Sequence, residues 1–267
     1  MLRQALFCLF VVATPAFAHE LWLEPTDFQI STEAKLEARI VNGQEFKGSE
    51  LSYIPQRVAL YMIFSGERAL PVQMRAGDRP GLLADSLGDG LHIVAYQTTI
   101  STITYDDWED FSGFVAHKDL AIDQDAHVAR LGSDTGFTEA YYRFSKTLIG
   151  VGSAQGEDRR TGLETEIVAL ENPYTDDMTD GFTVQLFYRN EMRGNEQIEV
   201  FDRAPDGTVS VSTVRTDPEG IADIVVLPGH DYMLDAVVLR QPSERVAAST
   251  GAFWETLWAN LTFSIPH

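Results

Sequence analysis

The chain has 267 residues, with 20 Lys+Arg against 40 Asp+Glu, six His and one Cys, for a formal charge of −20. A hydrophobic content of 44% with 22% charged residues suits a folded core and excludes wholesale disorder. The acidity makes nucleic acid a poor partner and argues against lipid binding, and a lone cysteine excludes a disulfide scaffold or a Cys-rich zinc site.

Met1–Ala18 has the make-up of a secretory signal. Arg3 supplies the positive start and Ala5–Ala13 the apolar stretch. Ala16-Phe17-Ala18 forms a small-x-small cleavage site, with Pro15 just before it. The apolar run is too short to span a bilayer, and no later stretch reaches about 18 uninterrupted apolar residues. The expectation is an exported, periplasmic protein. Cleavage removes Cys8 and leaves His19 as the new N-terminus. A free α-amino group and the Nδ1 of the same residue close a six-membered chelate on nickel, cobalt, copper or zinc, with both groups deprotonated. A cut after Ala16 would instead place His19 third, where amine, two amides and imidazole wrap square-planar Cu(II) or Ni(II).

Beyond the signal, Phe28–Ile30, Ala34–Val41, Arg57–Phe64 and Leu91–Ile100 are rich in β-branched and aromatic residues and read as strands. Turn pairs such as Asn42-Gly43 and Gly88-Asp89-Gly90 punctuate them. Two segments predict helices. Asp106–Leu120 opens on capping aspartates, and Phe137–Val151 repeats apolar residues at Phe137, Tyr141, Phe144 and Leu148. Gly152–Gly162 is polar and glycine-rich and serves as a linker. After it come Glu166–Ala169, Phe182–Tyr188, Gln197–Phe201, Val209–Arg215, Ala222–Val226, Tyr232–Leu239 and Asn260–Ile265, enough strands for one immunoglobulin- or transthyretin-like sandwich. The fold class is therefore all-β, with two sandwich-like domains over residues 19–155 and 156–267 and one or two short helices in the first.

A signal followed by His19-Glu20-Leu21-Trp22-Leu23-Glu24-Pro25 resembles the start of the DUF4198 proteins. Further similar segments run in order: Gly90–Tyr96, Tyr142–Leu148, Gly162–Ala169, Asn172-Pro173-Tyr174, Val184–Tyr188, Thr216–Gly220 and Leu257–Phe263. The resemblance implies two β-rich domains, the second carboxypeptidase-regulatory-like. It also implies an exported protein tied to nickel or cobalt acquisition, whose partners are a membrane metal transporter or outer-membrane receptor components.

Without cysteine, a borderline metal must be held by imidazole, carboxylate or the amino terminus. His19 is the first candidate and His92 the second, since His92 starts a strand after a glycine turn. The other reading of His92 is a hydrogen-bonded strand histidine. Glu20 and Glu24 lie close to His19 in sequence and can add oxygens or orient its ring. His117 and His127 flank an acidic stretch and can converge if it folds back, or else sit on a solvated face. His230 reads as turn chemistry. The acidic runs at Asp106–Asp110 and Asp176–Asp180 lack a calcium-loop pattern. The leading expectation is a non-enzymatic periplasmic binding or accessory protein that captures a divalent transition metal, nickel first and cobalt next, and hands it to a membrane transporter. Two alternatives stay open: a copper-brace protein, carrier or oxidative enzyme, and a metal-free envelope interaction module.

Overall fold

The computed structural model describes residues 19–267, and the expected signal segment 1–18 lies outside them. A ten-stranded sheet runs through the middle. Its order from edge to edge is Val209–Arg215, Gln197–Arg203, Asp231–Arg240, Ala252–Ser264, Thr135–Val151, Gly90–Thr98, Val58–Ser65 and Arg68–Pro71. Gln29–Ile30 and Ser101–Asp107 also pair with Thr135–Val151.

Four-stranded sheets cover both faces. One, built from Glu20–Pro25, Lys35–Gln44, Lys47–Leu51 and Leu82–Asp85, packs Leu21, Leu23, Leu36 and Ile40 on Tyr61, Val94, Ile149 and Val151. The other, built from Thr165–Ala169, Phe182–Tyr188, Glu191–Met192 and Ile221–Ile224, packs Ile167, Phe182 and Leu186 on Leu148, Leu234 and Phe263. Successive side chains of a strand point to opposite faces, so Leu148 and Ile149 reach different layers. The fold is all-β and sandwich-like.

Phe137–Val151 is a correction. The expected helix is the long strand Thr135–Val151, and its strand period is hidden because both faces are covered. From Phe144 to Val151 every residue is buried, Ser145, Lys146 and Thr147 included. Apolar spacing of three to four then arises by coincidence. This strand also bears on the expected boundary at 155/156. It pairs in parallel with Ala252–Ser264 over ten residue pairs, from Thr138 opposite Ala252 to Thr147 opposite Thr262. The ten-stranded sheet thus joins strands from both sides of that boundary.

Helical structure is short. Trp108–His117 starts where expected, with the Asp107 side chain accepting from the Asp110 amide at 3.1 Å. Gln124–Leu131 was not expected from the sequence. It is capped by Asp123, which accepts from the Ala126 amide at 2.8 Å, and closed by Gly132 in the left-handed region. Both helices lie over one aromatic cluster that includes Tyr105, Phe111, Phe114, Phe137, Trp254 and Trp258.

Candidate metal centre

Register across the central sheet aligns a row of polar residues. Glu199 stands opposite Asp235, Asp235 opposite Asn260, and Asn260 opposite Ser145. The first strand of the described chain lies over this row. Its Leu23 amide donates to Ser145 Oγ at 3.1 Å, and its Leu23 carbonyl accepts from Thr262 Oγ1 at 2.8 Å. Trp22 packs with Phe201 and Met233, and the Arg143 guanidinium donates to the His19 carbonyl at 2.7 Å. These contacts hold Glu20 above Glu199 and Asp235. One carboxylate oxygen from each of the three lies within 4.8 Å of the others, and all three residues are buried.

The helix Trp108–His117 closes the site from the side. Its Phe114 ring stacks on Trp258 at 5.3 Å, which brings the end of the helix over the carboxylates. Lys118 Nζ donates to Glu20 Oε1 at 3.0 Å, to Asp235 Oδ2 at 2.9 Å and to Glu199 Oε2. It also stands 4.6 Å from the Trp258 ring. His117 Nε2 reaches the other Glu199 oxygen at 2.6 Å, while more than half of its side chain remains exposed. Arg143 lies against the Trp258 and Tyr141 rings, at 4.0 and 4.6 Å.

Charge is tightly coupled here. Burial alone would lower the Lys118 ammonium, but Asp235, Glu20 and Glu199 outweigh it and hold the group above its ordinary value. Burial pushes the Asp235 carboxyl up to about 6 against the opposing pull of Lys118. Glu199 is held below its usual value despite burial, through His117 and Lys118. The bond to Glu199 raises His117 in turn.

The cluster is not fully satisfied. Among the described residues, eight buried side-chain polar atoms lack a hydrogen-bond partner, and five lie along this interface: Glu20 Oε2, Asp235 Oδ1, Asn260 Nδ2, Arg143 Nη1 and Trp22 Nε1. An orphaned buried group costs about 1–3 kcal/mol, more if charged. Native structures hold only a few per 100 residues, and this concentration at one interface suits a site with a further ligand.

Of the residues anticipated from sequence, Glu20 and His117 meet here. His19 adjoins Glu20, is exposed and lines a surface depression with Asn42, Gln44 and Lys47. Glu24 is engaged elsewhere, with its two oxygens on Arg39 at 2.7 Å and Arg203 at 2.6 Å. His92 is fully buried, with Nε2 accepting from the Leu87 amide at 2.8 Å and Nδ1 at 3.0 Å from the Gly90 carbonyl. It pairs with Ile149, six positions along the strand from Arg143, so it lies roughly 20 Å from the His19 end at about 3.3 Å per residue. His92 is thus a strand histidine with both nitrogens in use, because the tight turn before it supplies both partners. His127 accepts from Trp254 Nε1 at 3.0 Å inside an aromatic cage. His230 pairs with Asp202 at 2.6 Å.

Glu199, Asp235 and Lys118 were missed. A signal existed for two of them: each carboxylate interrupts an apolar strand, Ile198-Glu199-Val200-Phe201 and Met233-Leu234-Asp235-Ala236-Val237.

Fold and site together define an all-β protein with a buried, histidine-rimmed carboxylate cluster beneath its first described strand. The chain belongs to the DUF4198 family, described as a domain of unknown function, whose model matches residues 16–240. No curated protein matches it. A solved structure of a tetra-tandem repeat from the extending region of a large adhesion protein is similar at 11% identity and a TM-score of 0.21. That likeness covers 92% of this chain and 50% of the other, so the chain spans about half its length. At this TM-score it carries no argument.

Proposed function

We propose that this is an exported periplasmic binding or accessory protein that captures a divalent transition metal, nickel or cobalt, as cargo and supports its uptake by a membrane transporter. The observation that carries the reading is the set of Glu20, Glu199 and Asp235, oxygens within 4.8 Å, with unpartnered buried oxygens on Glu20 and Asp235. Carboxylate oxygen with a neighbouring imidazole is a donor set that such ions accept. His117 supplies the imidazole. In a chain processed after Ala18, the free amine of His19 lies one residue from Glu20, while its imidazole lines the neighbouring depression with Asn42, Gln44 and Lys47. Glu24 and His92, whose donor atoms are engaged elsewhere, drop out of the ligand set. The acidic surface raises the local concentration of divalent cations around the site.

Calorimetry with Ni²⁺ and with Co²⁺ on protein beginning at His19 tests the reading. Saturable binding, weakened at least about tenfold in the Glu199→Gln/Asp235→Asn double variant, is the expected result, since one lost ligand alone is worth a kcal/mol or more. A chain extended by one residue before His19 reports whether the terminal amine is a ligand. No binding of either ion up to about 1 mM would overturn the reading and leave the cluster as an ion-pair pin for the first strand.

A further inference from the structure

Lys118 stands where a metal ion shared by the three carboxylates would stand. Its Nζ touches one oxygen of each, at 3.0 Å from Glu20, 2.9 Å from Asp235 and in contact with Glu199. A transition-metal ion lies about 2.0–2.2 Å from a carboxylate oxygen, so an ion on those oxygens would overlap the ammonium. Repulsion excludes it as firmly, because the four side chains are no more than 5% exposed and the charges are poorly screened.

Resting on the metal-capture reading above, we infer that Lys118 is the resident cation of the site and its specificity-determining residue, which an incoming ion must displace. A monovalent ion would replace one positive charge with another and lose the ammonium's hydrogen bonds. A divalent ion adds charge against three carboxylates and gains. The displaced side chain has room to move. Lys118 ends the helix at a point where its neighbour His117 is largely exposed, and the chain continues at Asp119 into a cleft of about 620 Å³ whose Asp119 and Glu196 are paired with Arg215 and Arg193. Lys118 also has a flexible four-carbon stem, so the exchange needs no movement of the sheet.

Lysine footprinting reads this directly, because the chain has four lysines in graded settings: Lys35 and Lys47 exposed or half-exposed, Lys118 and Lys146 buried. Protein beginning at His19 is reductively methylated with and without Ni²⁺, and each lysine is followed by peptide mass. The expected result is that Lys118 is protected without metal and modified with it, while Lys35 and Lys47 react in both and Lys146 in neither. In parallel, Lys118→Met should bind Ni²⁺ at least about tenfold more tightly, one competing charge having been removed. If that variant folds only with metal, Ni²⁺ should restore its circular dichroism. Ni²⁺ bound by calorimetry with Lys118 still protected would overturn the inference and leave metal capture standing. No Ni²⁺ binding in wild type or Lys118→Met would remove metal capture and this inference with it.

Discussion

At the scale of single residues, the buried charges carry the most testable consequences. Burial pushes Asp235 up to about 6, and Glu199 raises His117 above its ordinary value. A group whose folded value is raised binds more protons folded than unfolded, so its contribution is lost as pH rises through that value. Glu199, held low by His117 and Lys118, works in the opposite direction and loses its contribution as pH falls through its lowered value. His117 therefore contributes more stability to the metal-free protein near pH 6 than near pH 8, while His92 and His127, lowered by burial, contribute in the opposite sense. His117→Gln should lower the melting temperature more at pH 6 than at pH 8 in a calorimetric series, and an equal effect at both would exclude the His117 contribution. Lys146 offers a contrast. It is wholly buried, and its three protons go to Asp158 at 2.9 Å, the Ile167 carbonyl at 3.1 Å and the Arg159 carbonyl at 3.2 Å. With every donor used it serves structure alone. Lys146→Met should cost about 3–5 kcal/mol by leaving the buried Asp158 with its two amide donors but no cation, measured by denaturant unfolding, with Ni²⁺ affinity of the folded fraction unchanged.

At the scale of elements, one short strand decides whether the candidate site exists. Glu20–Pro25 is buried along its whole length and, among the described residues, pairs with one neighbour, Lys35–Gln44. Its place over the central sheet depends on side-chain bonds to its backbone from Ser145 and Thr262. Ser145→Ala leaves the Leu23 amide buried without its acceptor and should cost about 1–3 kcal/mol. Urea unfolding gives the cost, and hydrogen exchange at Leu23 shows whether the loss is local. The start of the helix Trp108–His117 was legible, whereas the expected Asn42-Gly43 turn lies inside the strand Lys35–Gln44 and the chain reverses at Glu45-Phe46. Asp107 could be assigned because capping acts between near neighbours, its side chain accepting from the Asp110 amide at 3.1 Å. Thr135–Val151 was misjudged because period is informative only when one face is wet.

At the scale of the whole molecule, the shared sheet makes a prediction about cooperativity. The pairing of Thr138–Thr147 with Ala252–Thr262 joins the two halves through backbone hydrogen bonds. Residues 19–155 expressed alone would leave unpaired the edge of Thr135–Val151 that meets Ala252–Ser264, with apolar side chains such as Phe144 and Leu148 exposed. The full chain should unfold in a single calorimetric transition, and neither half should give a cooperative transition by itself. Two separate transitions would restore the expected division at 155/156.

The sequence alone determined the β-rich class, most strand positions and the Asp107 cap of the helix Trp108–His117. Each of these depends on interactions within a few residues or on composition. Tertiary structure alone decided which of 40 acidic residues meet. Lys118 joins carboxylates 98, 81 and 117 positions away, brought together by strand register and by the stacking of Phe114 on Trp258. Register is a property of paired strands and leaves no mark in either strand read singly. The same register set His92 apart from the His19 end and put Glu199 and Asp235 in its place.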